Sequence, residues 1–164
     1  IADKNWNNGD YKSPPIAGLK SFGRVYAGWA FSQDFFREEL FKKLGFETAE
    51  ELLKDWEDDH AKHWDANNLL AKLKTWQTSD ISSGPTYNND FKKALRSITA
   101  RTILMPCNQD LYFRTKDNEI ESKYIPNSVL KPIDSSFGHC AANPGNDKNF
   151  ELQLDQNISK LLNE

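Results

Sequence analysis

Two residues in the C-terminal third of the chain, Asp110 and His139, are of the right type and spacing for acid–base chemistry. Asp110 follows an apolar run at 101–106, and His139 ends the stretch Ser136-Phe-Gly-His, which follows a second apolar run at 128–133. A carboxylate can hold an imidazole in one tautomer, which leaves the other ring nitrogen to take a proton from a hydroxyl or a thiol. The alternative is that Asp110 caps a turn and His139 is a partly buried histidine. Spacing alone leaves both interpretations open.

The elements around these two residues alternate between helix and strand. Helices are predicted at 90–97, before the first apolar run, at 117–125, between the two runs, and at 148–162, after the second run. This alternation predicts an α/β fold with parallel strands. Functional residues of such folds lie in loops at the carboxyl ends of the strands, so Asp110 and His139 are expected at the same edge of the sheet.

A pair of parallel strands needs neighbouring strands and cover on both faces to be stable. The segment 86–164 is therefore expected to be the C-terminal α/β part of a larger sheet, whose other strands lie outside this sequence. A hydrophobic content of 38% and a mean hydropathy of -0.75 agree with a core that is supplied in part by something else.

The first half of the chain is predicted to be helical after an initial loop. Residues 1–23 contain Asn, Gly and two consecutive prolines, which indicates a loop leading from the sheet. Apolar residues at helical spacing predict one helix at 24–44, ended by Gly45. Thr48, with a glutamate three residues later, predicts the start of a second helix, and Asp65 that of a third.

These three helices are expected to form one helical unit at 24–85, with a loop at 79–90 near its boundary. The unit is rich in aromatic residues. Tyr26, Trp29 and Phe31 lie on its first helix, where they could form the helix core or line a wall of a substrate site.

Composition excludes some classes of partner. The formal net charge is -3 and no cluster of Lys and Arg forms a basic stripe, which argues against nucleic acid. No run of eighteen apolar residues occurs, which argues against a membrane span. No pattern indicates a bound cofactor.

Two other groups of residues could carry chemistry. His60 and His63 lie close to Asp58 and Asp59, but this charged stretch is more typical of a solvated helix face than of a metal site, and no metal is expected. The two cysteines, Cys107 and Cys140, could form a disulfide or stay as free thiols, and buried free thiols are the default expectation.

Five separated motifs follow one another along nearly the whole chain: Tyr26-Ala-Gly-Trp-Ala-Phe-Ser-Gln-Asp-Phe-Phe-Arg-Glu, Trp64-Asp-Ala-Asn-Asn-Leu-Leu-Ala, Trp76-Gln-Thr-Ser-Asp-Ile-Ser, Asp110-Leu-Tyr-Phe and Ser136-Phe-Gly-His. In this order they resemble motifs of the homoserine O-acetyltransferase-like α/β-hydrolases. The resemblance implies the part of the α/β-hydrolase fold that follows the nucleophile, with Asp110 as triad acid, His139 as triad base and a helical lid at roughly 24–85.

Residues near the acid and the base are expected to bind substrate. Tyr112 and Phe113, just past Asp110, are expected to be neighbours of the pocket, and Cys140, just after His139, is expected to contact substrate. Cys140 stands where the family has an aspartate that contacts the amine of the acceptor, and Phe31-Ser32-Gln33 stands where the family has Tyr-Arg-Ser. Losing these polar contacts would leave the charges of an amino acid unpaired, which argues against homoserine as the acceptor.

The sequence contains no Gly-x-Ser-x-Gly motif, which is the α/β-hydrolase signature of the nucleophile. The chain is therefore predicted to be part of a serine-dependent acyltransferase or esterase. Its nucleophile and oxyanion hole are expected in an upstream segment or a companion chain. The substrate would be a small ester or an acyl donor such as an acyl-CoA, with an acyl acceptor. The alternative function is a non-catalytic binding subunit that keeps the hydrolase-like fold.

Overall fold

The computed structural model describes residues 1–143 and 145–163. Their contacts group them into two compact units, and each unit combines two stretches of the chain. The first unit contains Ile1–Trp29 and Glu39–Ser79, and the second contains Ala30–Glu38 and the chain from Asp80 on.

Most of the described elements are helices. The α-helices are α1 (Ile16–Ala30), α2 (Gln33–Arg37), α3 (Ala49–His63), α4 (Ala66–Thr78), α5 (Phe91–Arg96), α6 (Thr115–Glu121) and α7 (Lys148–Asn163). Short 3₁₀ turns lie at Asn7–Gly9, Leu40–Leu44 and Gly138–Ala142, and the strands are β1 (Thr102–Leu104) and β2 (Ser128–Leu130). Along the described residues, no helix combines the length and apolar character needed to cross a membrane.

The prediction of a loop over 1–23 is wrong for its last residues, because α1 begins at Ile16. The preceding Pro15 suits a helix start, where a missing N–H costs nothing. Asp3, which is distant along the chain, accepts a hydrogen bond from the backbone N–H of Gly18 at 2.7 Å. This contact satisfies one of the free donors of the first turn.

The prediction of a single helix over 24–44 is also wrong, since the chain forms α1, α2 and a 3₁₀ turn there. Ser32 interrupts the helix because its hydroxyl accepts the N–H of Phe35 at 3.0 Å and caps α2. Glu39 then takes a left-handed conformation, with φ of 53°. Gly45 ends the 3₁₀ turn with φ of +90°, as predicted for a C-terminal glycine.

The starts of the next two helices are confirmed. Thr48 accepts the N–H of Glu51 at 3.2 Å, and Asp65 accepts the N–H of Asn68 at 2.9 Å. The carboxylate of Glu51 accepts the N–H of Glu47, one residue before the predicted partner in a capping box.

Parallel pairing of the two strands is confirmed, with Ile103 opposite Val129. An isolated parallel bridge between Cys107 and Ile133 extends the pairing towards the carboxyl ends of both strands. The strands are short and only partly covered, since Val129 is 52% exposed. Both carboxyl ends lead into the loops that carry Asp110 and His139.

Candidate active site

The carboxylate of Asp110 is oriented by the backbone that follows it. Its Oδ1 accepts hydrogen bonds from the N–H groups of Tyr112 at 2.7 Å and Phe113 at 3.1 Å. The side chain is 9% exposed. Asp110 therefore does cap a turn, and its second oxygen, Oδ2, is left for another partner.

That partner is His139, whose Nδ1 lies 3.0 Å from Oδ2 of Asp110. An ionised carboxylate can only accept a hydrogen bond, so Nδ1 carries the proton and Nε2 is the unprotonated nitrogen of the neutral ring. The imidazole is 32% exposed, so it is neither buried nor fully solvated. The pair has the arrangement of a triad acid that holds a general base in one tautomer.

Two aromatic rings flank the imidazole. The ring centroids of Tyr112 and Phe113 lie 4.8 Å and 5.4 Å from that of His139. Tyr112 is half-buried, whereas Phe113 is 57% exposed. Both rings therefore contact the imidazole, and Phe113 also lines the cavity beside it. Their predicted role as neighbours of the substrate stays a prediction.

A cavity of about 310 Å³ lies beside the acid and the base, within the second unit. Sequence reasoning missed part of its lining, namely Met105, Asn118 and Phe150. Asn118 belongs to α6 and Phe150 to α7, so no local motif marks either residue as part of a site. The full lining is Met105, Pro106, Cys107, Asp110, Phe113, Asn118, Gly138, His139, Ala142 and Phe150.

The chain is similar to known enzymes over almost its entire length, although no protein-family model matches it. It is 33% identical to the ethyl acetate hydrolase of Pseudomonas veronii over 98% of this chain and 46% of that protein. It superposes on the acetyl esterase MekB with a TM-score of 0.91 and 33% identity, covering 99% of this chain and 47% of that one. It is 25% identical to the homoserine O-acetyltransferase of Trichormus variabilis, covering 85% of this chain and 40% of that enzyme.

The similarities to esterases and to homoserine O-acetyltransferases place the chain among the α/β-hydrolases. Its fold is the C-terminal part of the α/β-hydrolase fold, with the edge of a parallel sheet. The helical lid at 24–85 stays a prediction. The chain spans about half the length of the curated relatives it matches.

In this α/β-hydrolase chain both cysteines are buried free thiols, as expected by default. Cys107 donates to the carbonyl of Ser135 at 3.3 Å, and burial raises the pKa of its thiol. Burial, and then the nearby charge of Asp110, raise the pKa of Cys140 to about 12. Cys140 is only 4% exposed. Its contact with substrate remains a prediction.

Tyr26, Trp29 and Phe31, the other predicted pocket residues, are not among the residues that line this cavity. Phe31 is 2% exposed and stacks on Phe35, with ring centroids 4.0 Å apart, so it fills the core of the second unit. Tyr26 belongs to the first unit and packs against Trp56 at 5.7 Å. Trp29 also belongs to the first unit and is 54% exposed.

His60 and His63 take separate partners in the first unit of the hydrolase. Nδ1 of the buried His60 lies 2.8 Å from the carbonyl oxygen of Trp56, and Nδ1 of the exposed His63 lies 3.0 Å from Oδ1 of Asp59. Over residues 1–143 and 145–163, no three or more His, Cys, Asp or Glu side chains group so that they could hold a metal ion.

Proposed function

We propose that this chain carries the acid and the base of a serine esterase that works through an acyl-enzyme. The observation that carries the proposal is the 3.0 Å contact between Nδ1 of His139 and Oδ2 of Asp110, whose other oxygen is held by two backbone N–H groups. Similarity to an ethyl acetate hydrolase and to an acetyl esterase supports hydrolysis of small esters.

In the proposed mechanism, Nε2 of His139 takes the proton of a serine hydroxyl as the serine oxygen attacks the carbonyl carbon of the ester. Asp110 stabilises the imidazolium that forms. The tetrahedral intermediate then collapses, and the leaving alcohol takes the proton back from His139. Water hydrolyses the acyl-enzyme by the same two proton transfers, which release the acid and regenerate the serine.

The serine and the oxyanion donors are proposed to come from an upstream segment of the same protein or from a companion chain. The sequence has no nucleophile elbow of its own. The partly covered strands support this proposal, because parallel strands are normally buried on both faces by neighbouring elements.

The proposed substrates are neutral, small acyl esters. The cavity beside His139 is lined mainly by apolar side chains, including Met105, Phe113 and Phe150. Cys140, with its pKa raised to about 12, stays a neutral thiol at physiological pH and offers no charge to an amino acid's ammonium group. Water or a neutral alcohol is therefore the proposed acceptor. An acyl-CoA could be the donor, and no cofactor is required.

The test is hydrolysis of p-nitrophenyl acetate by the full-length protein and by its His139→Ala variant. Loss of the general base is expected to lower kcat by on the order of 10³-fold. His63→Ala is the matched control, because His63 is an exposed histidine on α3 that pairs with Asp59. Near-normal turnover by His139→Ala would exclude the proposed mechanism. A full-length protein that binds esters without turning them over would favour a binding subunit instead.

A further inference from the structure

The loop that carries His139 is held by a residue from a distant part of the chain. Ser32 is 2% exposed, and its hydroxyl donates a hydrogen bond to the carbonyl oxygen of Ser136 at 2.6 Å. The same hydroxyl oxygen accepts the N–H of Phe35, so it bonds to the His139 loop and to α2 at once. Ser32 precedes Ser136 by 104 residues, but both belong to the second unit.

The backbone packs tightly at the same point. Gly138, directly before His139, has φ of +60°. A Cβ atom there would lie 2.9 Å from the backbone nitrogen of Ser32, 3.2 Å from the carbonyl oxygen of Gln109 and 3.3 Å from that of Ala30. The Ala30–Ser32 backbone, the residue before Asp110 and the residue before His139 therefore meet at one junction.

Aromatic packing supports this junction. The ring of Phe35 on α2 lies 5.4 Å from that of Phe137, in an edge-on arrangement. Phe35 is fully buried and Phe137 is 4% exposed, so neither ring can move without opening the core. Ser32 and α2 thus pack against Ser136, Phe137 and Gly138, the three residues before His139.

The loop has further side-chain contacts. Cys107, in the loop after β1, donates a hydrogen bond to the carbonyl of Ser135 at 3.3 Å. Two more contacts come from the residues that follow the loop. Ser135 donates to the carboxylate of Asp147, and the side-chain amide of Asn146 donates to the carbonyl of Cys140 at 2.9 Å. These partners belong to the connection to α7 and are close in sequence. Ser32 supplies a side-chain hydrogen bond to the loop from a different segment.

We propose that Ser32 is a positioning residue for His139. It fixes the carbonyl of Ser136, and thereby holds Nδ1 of His139 within hydrogen-bond distance of Oδ2 of Asp110. Ser32 acts through the loop and does not touch the imidazole. The expected effect on turnover rests on the proposed function, whereas the effect on the hydrogen bond between His139 and Asp110 does not.

The experiment compares Ser32→Ala, Ser32→Gly and Ser32→Thr in the full-length protein. Alanine removes both hydrogen bonds of the hydroxyl, whereas glycine removes the bond to Ser136 but remains an acceptable N-cap for α2. Threonine keeps the hydroxyl. The control is Asp90→Ala, which removes the N-cap of α5 in the same unit, where Asp90 accepts the N–H of Lys93 at 2.9 Å.

Two quantities are measured for each variant. The first is the downfield ¹H signal of the Nδ1 proton of His139, assigned by its loss in His139→Ala. The second is the steady-state rate on p-nitrophenyl acetate. In the alanine and glycine variants, the Nδ1 signal is expected to be weaker or absent. Their kcat is expected to fall about tenfold with little change in KM, because the base is displaced from its reactive position. Threonine is expected to restore both, and Asp90→Ala is expected to change neither.

An unchanged Nδ1 signal in Ser32→Gly would overturn the proposal. A loss of signal in Asp90→Ala as large as that in the Ser32 variants would overturn it as well. If Ser32→Ala fails to fold, the comparison of glycine with threonine decides the question. If the wild-type protein does not hydrolyse esters, the proposed function fails, but the Nδ1 signal still tests the role of Ser32.

Discussion

The two oxygens of the Asp110 carboxylate have different partners, and this difference makes the residue hard to replace. Oδ1 accepts two backbone N–H groups, and Oδ2 faces Nδ1 of His139. An asparagine at this position would have to turn its carbonyl oxygen towards the two backbone donors. Its amide N–H would then point at Nδ1 of His139. Nδ1 could accept that hydrogen bond only if the imidazole carried its proton on Nε2 instead.

The Asp110→Asn variant is therefore expected to lose activity without losing its fold. With the proton on Nε2, the imidazole cannot take a proton from a serine hydroxyl, and kcat is expected to fall by on the order of 10⁴-fold. The measurement is kcat on p-nitrophenyl acetate together with the thermal midpoint. Asp117→Asn, on the exposed first turn of α6, is the control and should behave like the wild type. Activity within tenfold of the wild type would contradict the assigned role of Asp110.

The two thiols near the acid and the base are expected to be unreactive in the folded protein. Burial and the charge of Asp110 raise the pKa of Cys140 to about 12, so at pH 8 only about one molecule in 10⁴ carries the thiolate. Burial also raises the pKa of Cys107. Mass spectrometry after treatment with iodoacetamide should find both residues unmodified in the native protein and modified in guanidinium chloride. Rapid alkylation of native Cys140 would contradict this expectation.

The raised pKa of Cys140 also contributes to the pH dependence of stability. The unfolded thiol of Cys140 has a pKa near 9.0 and loses its proton before the folded one does. Between about pH 9 and pH 12 the unfolded state therefore binds fewer protons than the folded state. The free energy of unfolding should fall over that range.

At the scale of elements, the first unit depends on a close approach between α1 and α3. A Cβ atom on Gly23 would lie 2.5 Å from the carbonyl oxygen of Trp56 and 2.8 Å from Nδ1 of His60. The same helix contains Gly28, whose Cβ position has no atom within 4 Å. The two glycines therefore have opposite roles. Gly23 allows α1 and α3 to pack closely, whereas Gly28 only lowers the helix propensity of α1.

Substituting each glycine by alanine separates these two effects. Gly23→Ala is expected to destabilise the protein by about 1–3 kcal/mol, because the backbone of α3 would have to shift. Gly28→Ala is expected to stabilise it by up to about 1 kcal/mol through helix propensity. Urea unfolding of both variants measures the difference, with the slope m checked for constancy. Equal effects of the two substitutions would contradict the proposed packing.

Local signals predicted the helix starts at Thr48 and Asp65, whereas contacts with distant residues accompany the elements that were predicted wrongly. Thr48 and Asp65 cap their helices through hydrogen bonds three residues away, so the sequence pattern was sufficient there. The start of α1 depends on Asp3, fifteen residues before its partner, and the break at Ser32 also involves the distant Ser136. No window of local sequence contains such contacts.

The same distinction applies to the site. The order of Asp110 and His139 after two predicted parallel strands was enough to expect them at one edge of the sheet. Phe31 lies in the core although its helical spacing also fitted a substrate wall, because Ser32 breaks the helix and joins this segment to the second unit. The cavity residues Met105 and Asn118 carry no chemical motif, and only the fold brings them to His139.

At the scale of the whole molecule, the chain holds an acid and a base without a nucleophile motif. It covers 46% of the length of the ethyl acetate hydrolase and 47% of that of the acetyl esterase it resembles. Its two paired strands present a partly covered sheet, as the proposal of further strands from outside requires. We therefore propose that Asp110 and His139 activate a serine that lies outside residues 1–164.

Labelling with a fluorophosphonate locates this serine, because the reagent reacts with a serine that a general base has activated. The full-length protein, together with any chain that copurifies with it, is treated with the reagent, and the labelled peptide is sequenced by mass spectrometry. We expect one labelled serine, in a Gly-x-Ser-x-Gly context outside these 164 residues, and labelling on the order of 10³-fold slower in His139→Ala. A label on a serine within residues 1–164, or an equal rate in His139→Ala, would contradict the account.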